Sequence, residues 1–165
     1  MTAAPTLYWE DFTQGSAAEY GPRLVTRDEI VAFAAEFDPQ PFHLDEDAAR
    51  ASMFGDLAAS GWHSCSLLMR IIADGFLLNS SSMGSAGVDE VTWLTPVRPG
   101  DRLSVRATVL KSRPSRTRPE MGLVHFLFEM SNQAGVAVMM MTATALFARR
   151  ATGRARVAEA PAVPA

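Results

Sequence analysis

At 165 residues, with 48% hydrophobic and 20% charged side chains, the chain is long enough for one domain with a real core and too apolar for bulk disorder. Its 15 basic and 18 acidic residues leave a net charge of −3, which argues against a nucleic-acid binder, whose basic excess is missing. A single cysteine, Cys65, excludes an internal disulfide and fits a reducing cytoplasm, the start M-T-A-A-P-T-L-Y-W-E-D lacks the features of a signal peptide, and no uncharged apolar run reaches membrane-spanning length.

Residues 1–15 read as an extended entry closed by a turn at Gly15. Residues 16–25 predict a first strand, at an edge or broken, because of Gly21 and Pro22. Thr26-Arg27-Asp28-Glu29 forms a capping box that starts a helix to about Phe37, with Ile30, Phe33, Ala34 and Phe37 on one buried face. Pro39 and Pro41 stop that helix and push Asp38 and Gln40 towards extended backbone, so 38–43 is expected as a stiff loop. Asp45 caps a short helix from Glu46 to about Ser52, and 55–60 is a loop. From Trp62 to Leu78 the pattern is apolar on most sides, the mark of a buried helix that other elements must surround.

Four strands are predicted after a Ser-rich loop, at about 87–97, 102–111, 122–131 and 136–148. In the third, Val124, Phe126, Phe128 and Met130 face one side, and His125 and Glu129 the other. The fourth is apolar on both faces, which places it in the sheet interior or at a subunit contact. Helices followed by strands predict an α+β fold, an antiparallel sheet curling round the long helix. Residues 1–150 read as a single domain and 151–165, rich in Ala, Arg and Pro, as a flexible tail.

The stretch from Asp38 to Asn79 carries the chemistry. A carboxylate (Asp38) and an imidazole (His43) stand five positions apart, ahead of a glycine (Gly61) at the mouth of the long helix. Carboxylate and imidazole together can hold and activate a water, and a helix-start N–H can stabilise charge developing on a carbonyl oxygen. Each residue alone has a plainer reading: a loop carboxylate on backbone amides, a satisfied half-buried histidine, a glycine easing a turn. Their conjunction favours catalysis. His63 lines a pocket or packs; Asp45 is a cap, His125 surface or interface, Cys65 core. Lys111, Arg113, Arg116 and Arg118 share one hairpin, where they meet substrate phosphates or form a solvated loop tip. Neither metal-ligand spacing nor a nucleotide-binding glycine fingerprint is present, so no metal or organic cofactor is implied.

D-P-Q-P-F-H-L-D, A-A-S-G and P-V-R-P-G-D together resemble the MaoC-like, (R)-specific enoyl-CoA hydratase family, over roughly residues 20–148. Asp38, Pro41, His43 and Asp45 match that family's loop in identity and spacing, with Gln40 where asparagine is usual. Gly61 matches the glycine before the central helix, with Ser60 where histidine is expected. The resemblance implies a hot-dog fold and catalytic roles for Asp38, His43 and Gly61. It implies hydration of trans-2-enoyl-CoA thioesters, or dehydration of 3-hydroxyacyl-CoA. Gln40, Pro41, Trp62, His63, Arg113 and Arg116 are expected at a substrate that is a CoA or acyl-carrier-protein thioester. A cytoplasmic homodimer or higher assembly is expected. A hot-dog acyl-CoA thioesterase and a non-catalytic acyl-thioester-binding partner subunit stay open as alternatives.

Overall fold

The capping box predicted at Thr26 is formed: Thr26 Oγ1 accepts the Glu29 N–H at 3.2 Å, and Glu29 Oε1 accepts the Thr26 N–H at 2.9 Å. It starts α1 (Arg27–Phe37). Thr26→Ala is expected to cost about 1 kcal/mol, read as a lower denaturant midpoint at unchanged slope. Ile30 and Ala34 are fully buried, but Phe37, assigned to the same face, is exposed. As the last residue of α1 it lies beyond the core and packs on Phe33, with ring centroids 5.0 Å apart. The computed structural model describes residues 5–150, so the tail expected at 151–165 lies outside the described residues.

A helix, α2 (Pro41–Leu44), replaces part of the expected stiff loop. Proline's fixed φ and missing N–H suit the first position of a helix as well as they stop a preceding one. Asp45 then caps α3 (Glu46–Arg50), its Oδ1 accepting the Ala48 N–H at 2.8 Å. The long helix, α4 (Gly61–Gly75), ends before Leu78; a 3₁₀ turn at Leu77–Asn79 follows.

Strands β1 (Ala17–Leu24), β2 (Ser82–Trp93), β3 (Arg102–Pro114), β4 (Met121–Ser131) and β5 (Ala137–Ala148) form one antiparallel sheet in the order β1-β3-β4-β5-β2. β1 is an edge, and its register shifts between Tyr20 and Arg23, at the glycine and proline that marked it. β5, apolar on both faces, is interior. β2 begins at Ser82, not near Gly87, and crosses to the far edge to pair with β5. Its register shifts three times along that pairing, which absorbs the glycines that concealed its start.

Inward-facing strand residues pack against α4, whose Leu67, Leu68, Ile71 and Ile72 are buried. Phe126, 2% exposed, sits in the middle, its ring centroid between 5.2 and 6.4 Å from those of Phe12, Phe76, Phe128 and Phe147. A buried helix held by one antiparallel sheet is the hot-dog arrangement. It leaves the N-terminus of α4 next to the short helices and to the end of β2.

Candidate active site

Three helix ends meet here. Asp38 closes α1, and its N–H still donates to the Ala34 carbonyl at 2.9 Å. His43 comes from α2 and Gly61 opens α4. Asp38 Oδ2 lies 3.6 Å from His43 Nε2. His43 is buried, with Nδ1 2.7 Å from the Ala58 carbonyl. A carbonyl can only accept, so Nδ1 carries the hydrogen and Nε2 is the ring nitrogen turned towards the carboxylate. Phe42 and Phe54 pack on the imidazole, with centroids at 4.6 and 5.8 Å.

Two donors hold the carboxylate. Ser60 Oγ–H donates to Asp38 Oδ2 at 2.6 Å, and Gln40 Nε2–H to Oδ1 at 2.8 Å. The Ser60 bond, above all, keeps this carboxyl below the usual carboxylate range; Gln40 and His43 assist, while burial opposes them. Ser60 is itself fully buried and caps α4, its Oγ accepting the Trp62 N–H at 3.2 Å. A serine here therefore joins the helix cap to the acid.

Gly61 lines the pocket, and its N–H, the first of α4, has no intrahelical acceptor. The peptide carrying that N–H is fixed at its carbonyl, where Ser60 O accepts from the N–H and Oγ of Ser64 at 3.0 and 3.3 Å. Glycine leaves open the space that a Cβ would take. The structure gives the space another occupant: a Cβ on Gly61 would stand 2.7 Å from the indole of Trp93.

These groups open into a pocket of about 480 Å³ whose walls include Phe42, Met53, Phe54, Trp62, Trp93 and Leu94. Apolar walls with a few convergent polar groups are what a small-molecule site requires. Gln40 and Trp62 line it as expected. Pro41 sits one step back, at the first position of the helix that carries His43.

His63 does not reach the pocket. Two positions beyond Gly61, it lies about 200° round the helix. There it is 5% exposed, stacked on Phe33 at 4.6 Å and 8°, with Nδ1 lacking a partner among the described residues. Burial, first of all, pushes its pKa down; Glu29 opposes this and Arg23 reinforces it. A histidine held neutral in the fold and free to protonate when unfolded contributes stability above its unfolded value, about 6.5, and loses it as pH falls below that. The melting midpoint is expected to be lower at about pH 5.5 than at about pH 7.5, and the gap to shrink in His63→Phe.

Arg113 and Arg116 are also elsewhere, with Lys111, Ser115 and Thr117 around a separate groove. Sheet register carries Trp93 across to Met139, Met130 and Val105. Arg113 is eight residues past Val105, roughly 26 Å along β3. Sequence reasoning missed the Ala58 carbonyl, which no side-chain pattern marks, the link from Ser60 to Asp38, and Trp93, brought in by non-local strand pairing.

The site and the fold define a class: a hot-dog protein with an Asp/His pair at the start of its central helix. The MaoC like domain model matches residues 12–125, and the chain belongs to that family of dehydratases. Uncharacterized protein YdeM of Bacillus subtilis (strain 168) is 32% identical over 130 residues, spanning 78% of this chain and 90% of YdeM. The crystal structure of the MaoC-like dehydratase from Rhodospirillum rubrum is similar at 44% identity and a TM-score of 0.81, covering 87% of this chain and 98% of that one. An R-hydratase from Pseudomonas aeruginosa shares the fold at 24% identity and a TM-score of 0.69, over 96% of each chain.

Proposed function

We propose that this protein adds water to trans-2-enoyl thioesters with R stereochemistry, or removes it from 3-hydroxyacyl thioesters. The observation that carries the reading is the placing of two acceptors, Asp38 Oδ2 and His43 Nε2, 3.6 Å apart in the pocket that Gly61 lines. One water can donate a hydrogen to each. A thioester oxygen on the Gly61 N–H then brings the enoyl C3 over the water oxygen. Attack forms the C3–O bond and shifts the π electrons towards the thioester oxygen. The amide and the α4 dipole stabilise that charge. The Asp38/His43 pair takes one proton from the water and a proton is delivered to C2, so one H₂O is added with no redox change.

A panel of enoyl thioesters, CoA and acyl-carrier-protein forms alike, tests this by mass. Gain of one water is the expected result. Release of free thiol would make the protein a thioesterase, and tight binding without either product would make it a non-catalytic acyl-thioester binder.

We further propose a cytoplasmic homodimer. β2 is a 12-residue edge strand, and Trp62, Met69, Val88 and Trp93 are exposed on it and on α4. Among the described residues, no helix is long and apolar enough to cross a membrane. Two β2 edges related by a two-fold axis run antiparallel, which turns the Arg113 end of one protomer towards the pocket end of the other. Arg113 and Arg116 are then placed for the phosphates of a CoA ester in the partner's pocket. Replacing both by alanine is expected to raise KM several-fold, on the order of 1 kcal/mol, for CoA thioesters. A truncated thioester without phosphates should show no change.

A further inference from the structure

Trp93 ends the edge strand β2, yet its indole lies on the first turn of α4. Its Nε1–H donates to the Gly61 carbonyl at 3.0 Å. That carbonyl and the Trp62 N–H belong to one peptide group. The Trp62 N–H donates to Ser60 Oγ at 3.2 Å, and Ser60 Oγ–H donates to Asp38 Oδ2 at 2.6 Å. An unbroken hydrogen-bonded line therefore runs from the indole to the carboxylate beside His43 Nε2. The same ring fills the place of a Cβ at residue 61 and meets Trp62 edge-on, at 5.8 Å and 78°.

We propose that Trp93 is a positioning residue: it fixes the Gly61–Trp62 peptide and, through Ser60, sets the orientation and basicity of the Asp38 carboxylate. This rests on the reading of Asp38 as a water-activating group. Hydrogen bonds in a line polarise one another. Donation into the Gly61 carbonyl strengthens the Trp62 N–H as a donor to Ser60 Oγ. A hydroxyl that accepts a stronger bond donates a stronger one, here to Asp38. The wedge of the indole also explains glycine at 61, since α4 backbone there would tolerate a side chain. Asp38 and His43 are the titratable side chains lining this pocket, and the Cys65 thiol lies behind the indole.

Trp93→Phe keeps a ring over Gly61 and removes the N–H. The test is a carbon-13 NMR titration of the Asp38 carboxyl in wild type and variant, alongside pH–rate profiles on the enoyl thioester the wild type hydrates best. The Asp38 titration is expected to move up in pH, and the acid limb of the rate profile with it. kcat should fall about tenfold while KM stays within about twofold. In Ser60→Ala, where the line is already cut, adding Trp93→Phe should shift Asp38 no further. Gly61→Ala, which displaces the indole without altering it, should raise the Asp38 titration as Trp93→Phe does, and serves if that variant fails to fold. An unmoved Asp38 titration, or a loss confined to KM, overturns the proposal. The titration needs no turnover: were no enoyl thioester hydrated, the activity reading would fall, and the role of Trp93 would still be decided.

Discussion

Asp38→Asn and His43→Gln are each expected to lower kcat/KM by about 10²- to 10⁴-fold, the range for a lost general acid or base. The double variant should fall little further, because both groups act on one water. Asparagine at 38 either keeps its oxygen for Ser60 and turns its NH2 against the Gln40 NH2, or turns its NH2 towards Ser60 and His43 Nε2 and loses the Ser60 acceptor. Glutamine at 43 loses the ring that pins Nδ1 to the Ala58 carbonyl. Steady-state kinetics on the best enoyl thioester, with melts to confirm folding, make the comparison. Substantial turnover in both variants would remove the proposed mechanism while leaving the family assignment intact.

Phe126→Ala is expected to cost about 3–5 kcal/mol, the largest stability loss predicted here for one residue. The ring is 2% exposed and packs against four other phenylalanines from the entry segment, the turn after α4, and strands β4 and β5. Those neighbours come from separate parts of the chain, so they cannot close the void by one shift. His125, one residue earlier, faces outward and meets Thr144 Oγ1 at 3.1 Å. His125→Ala should cost less than about 1 kcal/mol. Denaturant midpoints of the two variants test the alternation along β4 directly. Equal losses would mean the face assignment is wrong.

What could be read from sequence was local. The Thr26 box, the Asp45 cap and the β4 alternation are patterns of a few residues, and all three are formed. Asp38, His43 and Gly61 were singled out together, and the structure brings them to one pocket. Misreadings came where one residue type serves two ends. Pro41 stops one helix and starts another. Ser60 stands where histidine is usual, and its work as both helix cap and carboxylate donor is not marked by that position. Others came from non-local placement: β2 crosses the sheet, His63 turns to Phe33, and the basic hairpin lies at the opposite end. Periodicity gives a face but not its partner.

The pocket draws its polar chemistry from 38–43 and 58–64, while much of its apolar wall comes from Met53, Phe54 and the segment Leu94–Val97. Recognition and reactivity are thereby written in separable parts of the gene. Randomising 53, 54 and 94–97 offers an engineer a route to new acyl preferences with the acid, the base and their supporting serine left untouched.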